Sequence, residues 1–77
     1  MLVLHDNIES GNAYKVRLLL SQLGIPFETI QYDVTKAETR TVQFLTKIND
    51  NGRIPVLQFD DGRCLPESNA ILYYLAQ

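Results

Sequence analysis

The spacing of the hydrophobic residues changes twice within the first 34 positions, and few folds accept that order. Leu2-Val3-Leu4 is a short, branched apolar run followed at once by polar residues, the pattern of a buried central strand. From Ser10 the period lengthens. Ala13, Val16, Leu20 and Leu23 recur at helical spacing with Leu19 beside them, while Lys15, Arg17 and Gln22 fall on the other side. Ser10 or Asn12 can cap the orphan amides at the start, and Gly24 followed by Pro26 stops the far end, so the spacing predicts a helix over residues 11–23. Ile30-Gln31-Tyr32-Asp33-Val34 then alternates, which predicts a strand covered on one face. Two strands joined through a helix of this length run parallel with a right-handed crossover, and that makes the domain α/β.

The second half changes style. A weaker helical pattern through Val42, Leu45 and Ile48 predicts a helix within residues 37–48, ended by Asn49-Asp50-Asn51-Gly52. Val56-Leu57-Gln58-Phe59 and Arg63-Cys64-Leu65, joined by Asp60-Asp61-Gly62, read as a tight antiparallel hairpin, because Asp-Gly supplies the positive backbone angles such turns need. A last helix starts at about Ser68 with Ile71, Leu72, Tyr74 and Leu75 as its apolar face. No closing cap follows before Gln77, so further chain is expected beyond it. The order β-α-β-α-β-β-α, with a four-stranded mixed sheet and three helices, is the thioredoxin-like arrangement, and residues 1–77 form one such domain.

Composition sets limits on what this domain does. With 77 residues, 45% of them hydrophobic, a packed core is expected near the lower size limit for a fold that stands unaided. A net charge of −2, with the basic residues spread along the chain, leaves no footprint for nucleic acid or an anionic membrane. No apolar run approaches the roughly 20 residues that cross a bilayer. Met1 leads directly into a strand without the features of a secretory signal, and Cys64 is the one cysteine, so a reducing, cytoplasmic setting is expected. His5 reads as a strand-end or loop residue with no second histidine to build a metal site. Cys64, in the final strand and without a Cys-x-x-Cys partner, is expected to be an inert thiol, which argues against a disulfide oxidoreductase.

Three segments taken in order carry a resemblance: Ser10-Gly11-Asn12 opening the first helix, Asn51-Gly52-Arg53-Ile54-Pro55-Val56-Leu57 entering the hairpin, and Glu67-Ser68-Asn69-Ala70-Ile71 opening the last helix. Over its whole length the chain resembles the N-terminal, thioredoxin-like domain of the glutathione transferase family, in its serine-type, bacterial-like form. The resemblance implies a cytoplasmic, dimeric detoxification enzyme that binds glutathione as co-substrate and presents its thiolate to a small electrophile. The electrophile would bind against a C-terminal all-helical domain absent from this chain.

The resemblance also assigns roles. Ser10 becomes the catalytic hydroxyl, a donor to the ligand sulfur and not a nucleophile; the alternative is that Ser10 only caps its helix and Asn12 or a main-chain amide faces the sulfur. Ile54-Pro55 is expected to be cis, with the main chain of Ile54 turned out to pair with a peptide ligand; otherwise Pro55 merely begins an edge strand. Glu67 and Ser68 would hold the γ-glutamyl end at the helix start, where an ordinary N-cap is the plainer reading. Arg53 and Lys36 are candidates for the glycine carboxylate. Asp50 stands where the family often has proline, which leaves that end of the site the least defined. Tyr14, inside the helix, is expected to pack or to face a neighbouring surface. The same fold also supports a non-catalytic glutathione-binding or protein-interaction module.

Overall fold

The computed structural model describes residues 1–77, the side chain of Val34 excepted. Its elements run β1 (Leu2–Asp6), α1 (Gly11–Gln22), β2 (Phe27–Gln31), two short 3-10 turns (Val34–Lys36 and Glu38–Arg40), α2 (Val42–Lys47), β3 (Val56–Gln58), β4 (Cys64–Pro66) and α3 (Ser68–Leu75). The strands form one mixed sheet in the order β2-β1-β3-β4. β1 pairs parallel with β2 and antiparallel with β3, and β3 pairs antiparallel with β4. This is the four-stranded, three-helix arrangement expected from the element order.

Alternation along the strands divides the molecule. Leu4 and Leu57 are register partners and meet Val16 and Leu20 of α1 and Ile71 of α3 in a fully buried apolar cluster, flanked by Leu2, Phe27, Phe59 and Leu65. Val3, His5, Val56 and Gln58 alternate with these and face the other side. There Phe44 of α2 closes the sheet together with Tyr32.

Three predicted boundaries move. The second strand is Phe27–Gln31 and not residues 30–34, because Gly24, at φ +68°, ends α1 in a left-handed turn and the chain enters the parallel ladder at once, Leu2 opposite Phe27. β2 is an edge strand with only Phe27 partly covered, so its own pattern carries little signal, and the Val34 side chain that completed the apparent alternation lies outside the described residues. The predicted helix over 37–48 divides, since Ala37 is left-handed (φ 57°) and Thr41 is extended; Thr41 then caps α2 by accepting the Phe44 amide at 3.1 Å. Val42 is consequently exposed, and Phe44 is the residue α2 buries. The hairpin strands are Val56–Gln58 and Cys64–Pro66, one residue off at the turn, because Phe59 and Arg63 are joined by a loop bond of 2.8 Å that Gly62 closes at φ +91°.

Candidate functional site

Three loops meet at one end of the sheet. The first joins β1 to α1. Ser10 is the N-cap of α1, with extended backbone (φ −75°, ψ 123°), and its Oγ accepts the Ala13 amide at 3.2 Å. That bond occupies a lone pair and leaves the hydroxyl proton free to donate elsewhere. Behind the loop, buried Asp6 at the end of β1 takes Nη1 of Arg17 at 2.6 Å and the side-chain Nε2 of Gln31 at 3.0 Å, while Arg17 Nη2 reaches the Ile8 carbonyl at 3.3 Å. The ion pair and its added donors fix α1 against the strand it leaves.

The second loop enters β3. Asn49, largely buried, donates from Nδ2 to the Arg53 carbonyl at 3.1 Å, accepts the Asn51 amide at 3.1 Å on Oδ1, and takes the Gly52 amide on its carbonyl at 3.0 Å. Gly52 sits at φ +66°, and a Cβ there would lie 2.8 Å from Cδ of Arg40 and 3.1 Å from the Thr39 carbonyl. Glycine suits the backbone angle, and a Cβ there would press on the Thr39 carbonyl and displace the Arg40 side chain. Beyond this turn Ile54-Pro55 is cis. Among the described residues Ile54 forms no main-chain hydrogen bond outside the strands and helices.

The third element is the start of α3. Glu67 precedes it at φ 75°, ψ 118°, a strained conformation for a side-chain-bearing residue, and no side chain caps the helix. The first amides of α3 thus keep their donors for something outside the helix, at the positive end of its dipole.

Two cavities connect these loops and share Arg53 and Ile54. The larger, about 510 Å³, holds Ser10 with Asn7, Arg40 and Gly52. The smaller, about 90 Å³, holds Asn12, Asn49, Pro55, Glu67 and Ser68. The geometry thus brings Ser10, Arg53 and Ile54 together, and places Asn12 with Pro55, Glu67 and Ser68 on the far side of Ile54. Lys36 is exposed at the end of the first 3-10 turn and lines neither cavity; Arg40 does.

Arg40 and Asn49 were not singled out in the sequence. Arg40 arrives through its contact with a glycine 12 positions on, which no local pattern reveals; Asn49 was visible only as a helix breaker. Asp33, at the rim of the larger cavity, has its carboxyl held below the usual range, first by the Thr35 hydroxyl at 2.5 Å and then by main-chain donors, so it is a firm anion there.

Residues outside the cavities behave differently. Tyr14 is half exposed on α1. His5 lies within β1, not in a loop, and is buried; Nε2 faces Gln58 Oε1 at 2.7 Å and Nδ1 faces the Tyr32 hydroxyl at 2.7 Å. With the Gln58 oxygen accepting, the ring proton sits on Nε2 and Tyr32 donates to Nδ1. Cys64 is partly buried, and desolvation pushes its thiol up. Among the described residues no cluster of three or more metal-ligating side chains occurs, and no helix is long and apolar enough to cross a membrane.

Comparison with known proteins places the chain. The family model for the glutathione S-transferase N-terminal domain matches residues 1–77. A glutathione S-transferase from Pseudomonas fluorescens superposes with a TM-score of 0.94 at 47% identity, over 99% of this chain and 37% of its own. A glutathione transferase homologue from Sulfitobacter, solved with bound glutathione, superposes with a TM-score of 0.90 at 28% identity, over 99% of this chain and 36% of its own. Protein URE2 of Meyerozyma guilliermondii is 44% identical over 74 residues, 94% of this chain and 24% of that protein. The chain spans about a quarter to two fifths of the length of these relatives.

Proposed function

The chain belongs to the glutathione S-transferase N-terminal domain family, and from that premise we propose that it binds glutathione and activates its thiol for attack on an electrophile. The observation that carries this reading is the shared lining of the two cavities: a hydroxyl in one and the uncapped start of a helix in the other, with the main chain of Ile54, free of loop hydrogen bonds, common to both. A tripeptide offers a complementary group to each.

The γ-glutamyl carboxylate goes to the free amides and Ser68 hydroxyl at α3, with Glu67 and Asn12 toward its ammonium. The cysteinyl residue pairs with the main chain of Ile54, beside Pro55, as an added strand would. The glycine carboxylate goes to Arg40 and Arg53, two guanidinium groups that suit a planar carboxylate. Lys36, named from the sequence for that role, is left to solvent. The sulfur lies in the larger cavity near Ser10. Because Ser10 Oγ already accepts an amide, its own hydrogen is polarised toward a thiolate, and a donor that favours the anion lowers the thiol pKa. The thiol releases its proton to solvent on binding, and Ser10, which donates to the resulting thiolate, holds it in its reactive form while the sulfur attacks the electrophile; no histidine base is needed. The electrophile would be met between this domain and a helical domain of the full-length protein, which in this reading is a cytoplasmic dimer.

The test is Ser10→Ala in the full-length protein. Loss of the donor raises the pKa of the bound thiol by about one unit and lowers turnover at neutral pH about tenfold. An unchanged pKa and unchanged turnover would refute the serine mechanism. A second reading is favoured by one finding, that a relative at 44% identity bears the name Protein URE2 and not that of a transferase. In that case the domain binds glutathione without activating it, and the bound thiol keeps its solution pKa even with Ser10 in place.

A further inference from the structure

Asn7 lines the larger cavity and has no part in the chemistry proposed above, yet it holds the Ser10 loop at three points. Its Nδ2 donates to the Tyr32 carbonyl at 2.7 Å, its Oδ1 accepts the Glu9 amide at 2.8 Å, and its main-chain carbonyl accepts the Ser10 amide at 2.9 Å. The second and third of these form a local turn. The first is different, because it leaves the loop and crosses to the chain that follows β2.

Tyr32 is a firm anchor. Its amide donates to the Asp6 carbonyl at 2.9 Å, its hydroxyl meets buried His5, and its ring lies edge-on to Phe44 with centroids 5.0 Å apart. The loop itself has little packing to define it, since Ile8 is 70% exposed and Glu9 is exposed beside it. Hydrogen bonds must therefore set where it sits. A donor that acts on a ligand sulfur has to be placed within about half an ångström to be effective, and Ser10 follows Asn7 by three residues.

We infer that Asn7 is a positioning residue, which fixes the Ser10 hydroxyl against the ligand sulfur by tying the β1–α1 loop to the Tyr32 carbonyl. This inference rests on the reading of Ser10 as the sulfur's donor. Arg17 grips the same loop from α1, touching the Asn7 and Ile8 carbonyls at 3.4 and 3.3 Å, but those contacts bear on the loop's main chain and cannot replace a tie to β2's side of the sheet.

The experiment uses the full-length protein and two substitutions. Asn7→Ser keeps a short side-chain acceptor able to form the local turn but cannot reach Tyr32; Asn7→Ala removes both. The pKa of bound glutathione is read from thiolate absorbance against pH, and affinity is measured separately with S-methylglutathione, which has no thiol to titrate. Both substitutions raise the bound thiol pKa by about half a unit or more, with S-methylglutathione affinity kept within about threefold. Repeated on Ser10→Ala protein, they add less than about a quarter of a unit, because the hydroxyl they position is gone.

A thiol pKa unmoved by Asn7→Ser overturns the inference while leaving Ser10 its role. So does a shift that persists undiminished without the Ser10 hydroxyl, or a loss of S-methylglutathione affinity as large as the pKa effect, since either means that Asn7 acts on the site generally. If Ser10→Ala alone leaves the thiol pKa unchanged, the serine reading fails and the inference fails with it.

Discussion

The two faces of the sheet are closed by different means. Toward α1 and α3 the contacts are carbon on carbon, Leu4, Val16, Leu20, Leu57 and Ile71 all at 0% exposure. Toward α2 the central residue is a histidine, satisfied on both nitrogens by Tyr32 and Gln58, with Phe44 as its aromatic neighbour. The first face draws its stability from area removed from water, which is non-directional and tolerates small shifts. The second depends on groups that must meet at hydrogen-bond distance, which makes it weaker and more exact in its geometry. The carbonyl of Tyr32 then reaches the Ser10 loop through Asn7, so the directional face is the one joined to the site.

If this division is right, truncation on the apolar face costs most. Ile71→Ala leaves a cavity between α3 and the sheet and is expected to lower unfolding stability by about 2–5 kcal/mol, measured by urea denaturation. For a chain of 77 residues that is a large share of the total. A loss below about 1 kcal/mol would mean that this cluster does not carry the fold.

Tyr32→Phe probes the other face with almost no change of shape. It removes the donor to His5 Nδ1 and leaves a buried nitrogen without its partner, an expected cost of about 1–3 kcal/mol. The smaller figure is what separates the faces. Equal losses from Tyr32→Phe and Ile71→Ala would erase the distinction, and no loss at all would show that water replaces the hydroxyl.

The same division explains what could be read from the residues alone. The α1 stripe and the apolar face of α3 are repeating patterns set by burial against carbon, and both helices lie within a residue of where the period placed them, although Leu23 and Tyr74, counted on those faces, are exposed. The α2 face has no period to read: Val42, which fits a helical stripe, is 81% exposed, and His5, read as a strand-end or loop residue, lies near the end of β1 but is buried. In the site, the order of the three segments gave Ser10, Ile54, Glu67 and Ser68, which line the two cavities. Arg40 stayed hidden because it lies against Gly52, 12 positions on, a proximity that exists only after the chain has folded.

Cys64 gives the smallest effect and the finest test of the comparison. It belongs to the α2 face, since it is the register partner of Gln58, and its Sγ faces the carbonyls of Gly62 at 3.6 Å and Lys47 at 3.8 Å. Both partners are acceptors, and desolvation is the cause that raises the thiol pKa, so the protonated form is favoured in the folded chain. For such a group the folded state holds its proton more tightly than the unfolded state. Its contribution to stability is therefore complete below the ordinary thiol pKa and fades as pH rises through that value toward the raised one. Two consequences can be measured. Native protein should react with iodoacetamide at least about threefold more slowly than a free cysteine at mildly alkaline pH. Cys64→Ser should leave neutral stability nearly unchanged while flattening its decline on the alkaline side. Alkylation as fast as that of the unfolded chain would place Cys64 in solvent and remove it from the α2 face.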